Sequence, residues 1–282
     1  MKARYKKLTE SDIIEAVGTT DLENLIEIEV LFIECHDIDT LAFKKCQKLV
    51  RLSMINNSLK YISSTLYDVR HSLLHLCLCN QAISRIENLD LPLLITLYLH
   101  NNIINKIENL NKLPNLQILN LSYNNISKIE NIQYCIHLKE LYIHSNYITS
   151  LSGLEYNVNL IKLGISNNII SSYNEIDKLK SLAIHSSSSS NNRTTHLALP
   201  LLTYLSLYDI HYGKNPICDD EGYHQYIILN IRQIKVLDGV VITDTRIRQV
   251  ILHTVLYTML NTYSHCNIHI YTHIYTTICT HM

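Results

Sequence analysis

Two histidines, His100 and His144, and two cysteines, Cys77 and Cys79, are the side chains in this 282-residue sequence best suited to chemistry. Imidazoles and thiolates ligate zinc and serve as bases and nucleophiles. Each chemistry has a spacing requirement that can be checked. Cys77 and Cys79 stand two residues apart with no second pair to match them, so the eight cysteines offer no zinc site. Phosphate loops, His-Glu-x-x-His, Gly-x-Ser-x-Gly and Cys-x-x-Cys are absent, and only 6 glycines are present. No catalytic residue, metal or cofactor is therefore expected. Five histidines in the last thirty residues accompany "NIHIYTHIYTTICTHM", a tail built almost wholly from Ile, Tyr, Thr, His and Cys. Its composition reads as low complexity, disordered or sticky, not as a designed metal site.

The elements that position these residues repeat. Leu94, Leu97, Leu99 and Asn102 form one row; Leu116, Leu119, Leu121 and Asn124 the next; then Leu138, Leu141, Ile143 and Asn146; then Leu160, Leu163, Ile165 and Asn168. Successive rows lie 22 residues apart. Weaker rows precede them: Leu73, Leu76, Leu78 and Gln81; Leu49, Leu52, Met54 and Asn57; Ile28, Leu31, Ile33 and His36. Leu202, Leu205 and Leu207 start a late row, and Ile231, Ile234 and Val236 a terminal one. In each "LxL" two side chains point inward from a short strand and the one between points out. A single such coil cannot bury its apolar side, but stacked coils share a core and a parallel sheet. The expected fold is an α/β solenoid, a horseshoe with a concave parallel sheet and short helical or irregular convex segments. Asn102, Asn124, Asn146 and Asn168 are expected to form a ladder that satisfies backbone groups at the turns.

That frame decides the histidines. They hold the same repeat position two periods apart, hence ~10 Å apart at ~4.8 Å per strand. One metal cannot hold both, and they read as surface histidines. Cys46 and Cys135 each precede a row by three residues, a packing position. What remains is a surface. Tyr98, His100, Asn120, Tyr123, Glu140, Tyr142, His144 and Lys162 are the candidate partner-binding residues, with tyrosines supplying the amphipathic area enriched at interface hot spots. Gly164 reads as a gap able to admit a partner's side chain. Among outward positions only Glu34 and Glu140 read as acidic.

The ends need caps. Residues 1–19 read as a helical cap, with Thr9 or Ser11 at its start and Gly18 at its end. Residues 20–245 carry the repeats, residues 246–260 a closing helix, and residues 261–282 the low-complexity tail. A Ser/Asn-rich stretch at about 181–199 breaks the rhythm and reads as an insertion. The basic N-terminus lacks the apolar run of a secretory signal, so a cytoplasmic protein is expected. A formal net charge of −1 argues against nucleic acid or an acidic membrane as partner. A monomer with a protein partner is the expectation.

The pattern resembles the leucine-rich repeat family over roughly residues 20–245. The 22-residue form is similar to the subclass named for a regulatory subunit of protein phosphatase-1, and "NPIC…Y…L…IKVLDG" resembles the ending that closes such solenoids. The resemblance implies a non-enzymatic scaffold binding a protein on its concave face. Ciliary members of the subclass imply a cilium or flagellum setting; the phosphatase subunit implies, alternatively, a regulator of that enzyme.

Overall fold

The computed structural model describes residues 6–180 and 199–262. The expected insertion, apart from Leu199, and the tail beyond residue 262 lie outside the described residues. The chain divides into one compact unit ending at Val241 and a second beginning at Ile242.

The first unit is built on a sheet of ten strands among the described residues. They are β1 (Glu27–Leu31), β2 (Arg51–Ile55), β3 (His75–Cys79), β4 (Thr96–Tyr98), β5 (Ile118–Asn120), β6 (Glu140–Tyr142), β7 (Lys162–Gly164), β8 (Tyr204–Ser206), β9 (Val236–Leu237) and β10 (Val240–Val241). From β1 to β9 neighbours in sequence are parallel neighbours in the sheet, and β10 turns back antiparallel on β9. The register is the repeat itself: Leu97 pairs with Leu119, Leu119 with Leu141, Leu141 with Leu163 and Leu163 with Leu205. All five are fully buried. Each such side chain contributes about 1.5–3 kcal/mol of burial free energy, but only because the next coil covers it.

Polar ladders bind coil to coil. The Nδ2 group of Asn124 donates to Leu99 O and Leu121 O, each at 3.0 Å, and its Oδ1 accepts from Ile104 N at 2.9 Å. Asn102, Asn146 and Asn168 repeat the pattern. Asn57 and Gln81 extend it toward the N-terminus. A second column lies seven residues further along each coil, where Asn88, Asn109 and Asn131, all in the left-handed region, donate to Ile62, Ile86 and Ile107 O. The next coil places Gly153 there at φ +104, and a Cβ on it would lie 2.0 Å from Ile129 O.

Both terminal rows differ from the sequence reading by three residues. Ile28 pairs with Leu52 and Val30 with Met54, and both are buried, whereas Leu31 is 44% exposed. The true first row is therefore Leu25, Ile28 and Val30, not Ile28, Leu31 and Ile33. Apolar residues satisfy both spacings, and pairing with β2 selects the one that buries Val30. Outward residues become Glu27 and Glu29, and Glu34 falls in the turn after β1 with φ 52. At the other end Leu205 pairs with Leu237, so Ile234 and Leu237 replace Ile231 and Ile234 as leaders.

Helix α1 (Glu10–Val17) starts at Thr9, whose hydroxyl accepts from Asp12 N while the Asp12 carboxylate accepts from Thr9 N. Such reciprocal capping fixes the helix start. Helices α2 (Tyr173–Asp177) and α3 (Tyr223–Asn230) occupy later coils. In the second unit α4 runs Asp244–Thr262. Among the described residues no helix is long and apolar enough to cross a membrane.

Candidate partner-binding site on the concave face

Outward positions of β4 to β8 form two columns: Thr96, Ile118, Glu140, Lys162, Tyr204, and Tyr98, Asn120, Tyr142, Gly164, Ser206. His100 and His144 follow their strands on the same side. Over these columns lies an open cavity of about 370 Å³, lined by Tyr98, His100, Asn120, Tyr142, His144, Tyr204, Asp209 and Tyr212. Five of the eight sequence candidates line it. The other three adjoin it. Glu140 accepts from the Tyr142 hydroxyl at 2.7 Å and pairs with Lys162 at 3.0 Å, while the Tyr123 ring lies 5.4 Å from that of Tyr212.

Sequence reasoning missed Tyr204, Asp209 and Tyr212. Tyr204 was findable, because it stands between Leu202 and Leu205 as Thr96 stands between Leu94 and Leu97. The other two come from a hairpin. Between Leu207 and the asparagine of its row the chain inserts a short antiparallel pair, Tyr208–Asp209 with Gly213–Lys214. Asn215 then resumes the ladder, donating to Ile165 O and Leu207 O and accepting from Ile170 N. Eight residues separate Leu207 from Asn215, against three from Leu99 to Asn102. Asp209 turns the hairpin by accepting from His211 N and Tyr212 N. Ile210 at the tip is 81% exposed.

The hairpin lays Tyr212 on the sheet, and this corrects two expectations. His144 is not a surface histidine. It is 6% exposed, its ring stacks on Tyr212 at 4.2 Å and 15°, and its Nδ1 accepts from Ser166 N at 3.1 Å. That bond leaves the neutral ring's proton on Nε2. Burial lowers its pKa to about 4, against a smaller opposing pull from Asp209. Nor is Gly164 a vacant gap. A Cβ there would lie 2.2 Å from His144 Nε2 and 2.9 Å from Tyr142 Cδ1, so the chain's own rings fill the space. His100 is half-buried, and burial lowers its pKa too.

The tyrosines are alike electrostatically. Burial raises Tyr98, Tyr142, Tyr204 and Tyr212; the Glu140 bond adds to the rise at Tyr142 and Asp209 to that at Tyr204 and Tyr212. All four are neutral hydroxyls at physiological pH. No lysine or arginine lines the cavity. Among the described residues no cluster of three or more His, Cys, Asp or Glu is placed to hold a metal ion. The surface offers ring faces, hydroxyls, one amide and one carboxylate.

Residues 114–156 match the family model described as Leucine Rich repeats (2 copies). That stretch carries two leucine-rich repeats. The matched span holds the rows led by Leu116 and Leu138. Among solved structures the chain is similar to an internalin, inlF, of Listeria monocytogenes, at 19% identity and a TM-score of 0.52 over 73% of this chain. It spans 58% of that internalin's length. It is also similar to internalin C2, inlC2, of the same species, at 22% identity and a TM-score of 0.50, covering 59% of this chain and 86% of that one. These likenesses concern the fold. No curated protein matches the chain.

Proposed function

We propose that this leucine-rich-repeat chain is a non-enzymatic interaction scaffold that receives a protein partner on its concave face. The observation that carries this reading is the cavity lined by Tyr98, Tyr142, Tyr204 and Tyr212. Tyr98, Tyr142 and Tyr204, held on strands, and Tyr212, held on the hairpin turn, present contact area that costs little ordering on binding. Asp209, with no lysine or arginine in the lining, favours a basic or amide side chain of the partner. The exposed Ile210 extends the surface beyond the cavity rim. The setting we propose is cytoplasmic, at a cilium or flagellum, from the likeness of Leu202–Cys218 to leucine-rich repeat-containing protein 9 and to ciliary members of the repeat subclass. The outward sheet positions are the partner sites.

A second reading, regulation of a protein phosphatase-1-type enzyme, draws on one specific observation. Glu27 and Glu29 stand outward on β1, and Glu140 on β6, which enlarges the acidic surface beyond the sequence reading. Quantitative affinity capture compares the whole chain with a Tyr98→Ala, Tyr212→Ala variant. We expect a defined partner set to be depleted at least about tenfold on the variant, as loss of two hot-spot tyrosines at about 1–2 kcal/mol each implies. Identical partner sets from both baits would overturn the concave-face reading. A phosphatase catalytic subunit in the depleted set would select the second.

A further inference from the structure

Strand β3 turns three side chains, His75, Cys77 and Cys79, toward the concave face, one coil before Tyr98 and His100. The two sulfurs are 3.0 Å apart, and Cys79 Sγ is 3.1 Å from His100 Nδ1. Cys77 is half-buried, whereas Cys79 is buried. The partner site shares His100 with this arrangement but includes neither sulfur. We propose that Cys77 and Cys79 are a thiol modification site, in which Cys77 reacts with hydroperoxides and Cys79, relayed by His100, resolves the product to a Cys77–Cys79 disulfide.

Accessibility assigns the order. A small peroxide reaches Cys77 first, since Cys79 is the more buried of the two. The groups around Cys77 are Cys79 and Ser53, which hydrogen-bond it, and Glu29, which opposes its ionisation. The Cys79 bond is the largest influence and holds Cys77 down at about 7, while Cys79 itself is pushed up. One thiol of the pair is thus a thiolate near neutrality and the other its proton donor. That is the division of labour a nucleophile and its resolving partner need.

The chemistry balances. Cys77 thiolate attacks one oxygen of hydrogen peroxide; an S–O bond forms, the O–O bond breaks, and hydroxide leaves and takes a proton to become water. Cys77 is now a sulfenic acid. The Cys79 proton passes to His100 Nδ1, and Cys79 sulfur attacks Cys77 sulfur. An S–S bond forms, the S–O bond breaks, and the departing hydroxide takes a proton from the imidazolium. Two thiols lose two electrons, and one peroxide becomes two waters. Burial favours the neutral imidazole that this relay requires.

The bridge is strained. Residues two apart on an extended strand have Cα atoms about 6.6–6.8 Å apart, at the upper limit of about 6.8 Å for disulfides. Closure must shorten β3 at Leu78, a core residue 1% exposed. A strained bridge has a high reduction potential, so a dithiol reductant reopens it readily.

The test uses the full chain in native buffer, with hydrogen peroxide followed by alkylation and peptide mass spectrometry. We expect a Cys77–Cys79 linked peptide, lighter by two hydrogens, that disappears after dithiothreitol. Native Cys77 should alkylate with iodoacetamide at pH 7 at least about tenfold faster than Cys218, the other half-buried thiol among the described residues. Cys79→Ser should trap sulfenic acid at Cys77, detected with dimedone, and His100→Gln should slow closure but leave sulfenic acid formation intact. Circular dichroism of both variants checks that they fold. Equal alkylation of Cys77 and Cys218, or sulfenic acid on wild type with no linked peptide, overturns the proposal.

Discussion

Asn157 occupies the column held in earlier coils by Leu91, Leu113 and Cys135. Its Nδ2 reaches Ile132 O and Cys135 O, but its buried Oδ1 has no hydrogen-bond partner. Those carbonyls already accept from Cys135 N and Leu138 N, so nothing is orphaned if the amide goes. Asn157→Leu should raise stability by about 1 kcal/mol in urea unfolding, because an unpaired buried acceptor costs about 1–3 kcal/mol; a loss would show that the two donated bonds outweigh it. Asn124→Ala should do the opposite and cost about 2–4 kcal/mol, since it leaves the buried Ile104 N without its acceptor and takes one donor from each of Leu99 O, Leu121 O and Ser122 O. His144 sets a pH dependence. Its ordinary value is 6.5 and its folded one about 4. Between these the unfolded chain binds a proton that the folded one refuses, so stability falls as pH drops from 6.5 toward 4, by at most about 1.4 kcal/mol per unit. His144→Gln should flatten the slope in thermal melts across that range.

At the level of elements, the central coils were legible from sequence and the edges were not. Rows led by Leu94 to Leu160 repeat at one spacing and are fully buried at their leading positions. At β1 two spacings bury apolar side chains equally well on paper. Only pairing with β2 distinguishes Val30 from Leu31, and pairing is not written in one strand. The hairpin Tyr208–Lys214 was illegible for a related reason. Its residues fit no period, and what placed Tyr212 on His144 was the return of the chain to Asn215. Tyr212→Ala should re-expose His144 and raise its pKa toward 6.5, readable as a shifted imidazole titration by NMR; an unmoved titration would mean that Ser166 and the sheet alone keep the ring dry. Gly153→Ala should destabilise by roughly 1–3 kcal/mol or more, as its left-handed backbone and the Ile129 carbonyl leave a methyl no place.

Across the whole repeat unit, stability is shared between neighbours, because each coil's core is the next coil's cover. The C-terminal edge is closed by a charge. Asp238, 2% exposed at its side chain, accepts from Leu207 N and Tyr208 N with one oxygen and from the Tyr223 hydroxyl with the other, near His224. Asp238→Ala should loosen the last coils first. Hydrogen exchange at Leu205 and Leu207 is then expected to quicken by an order of magnitude or more while Leu97 and Leu119 keep their protection. Uniform quickening would show instead that the coils unfold as one.

The asparagine ladder measures position in space, not distance along the chain: Asn215 keeps its rung although five residues more than usual separate it from the preceding leucine. The slot between an inward leucine and its asparagine is therefore a port. Any segment whose two ends meet there can be spliced in without moving a coil. Exchanging Tyr208–Lys214 for hairpins of other sequence would redraw the binding surface while leaving the scaffold unchanged, much as a handle is refitted to the same blade.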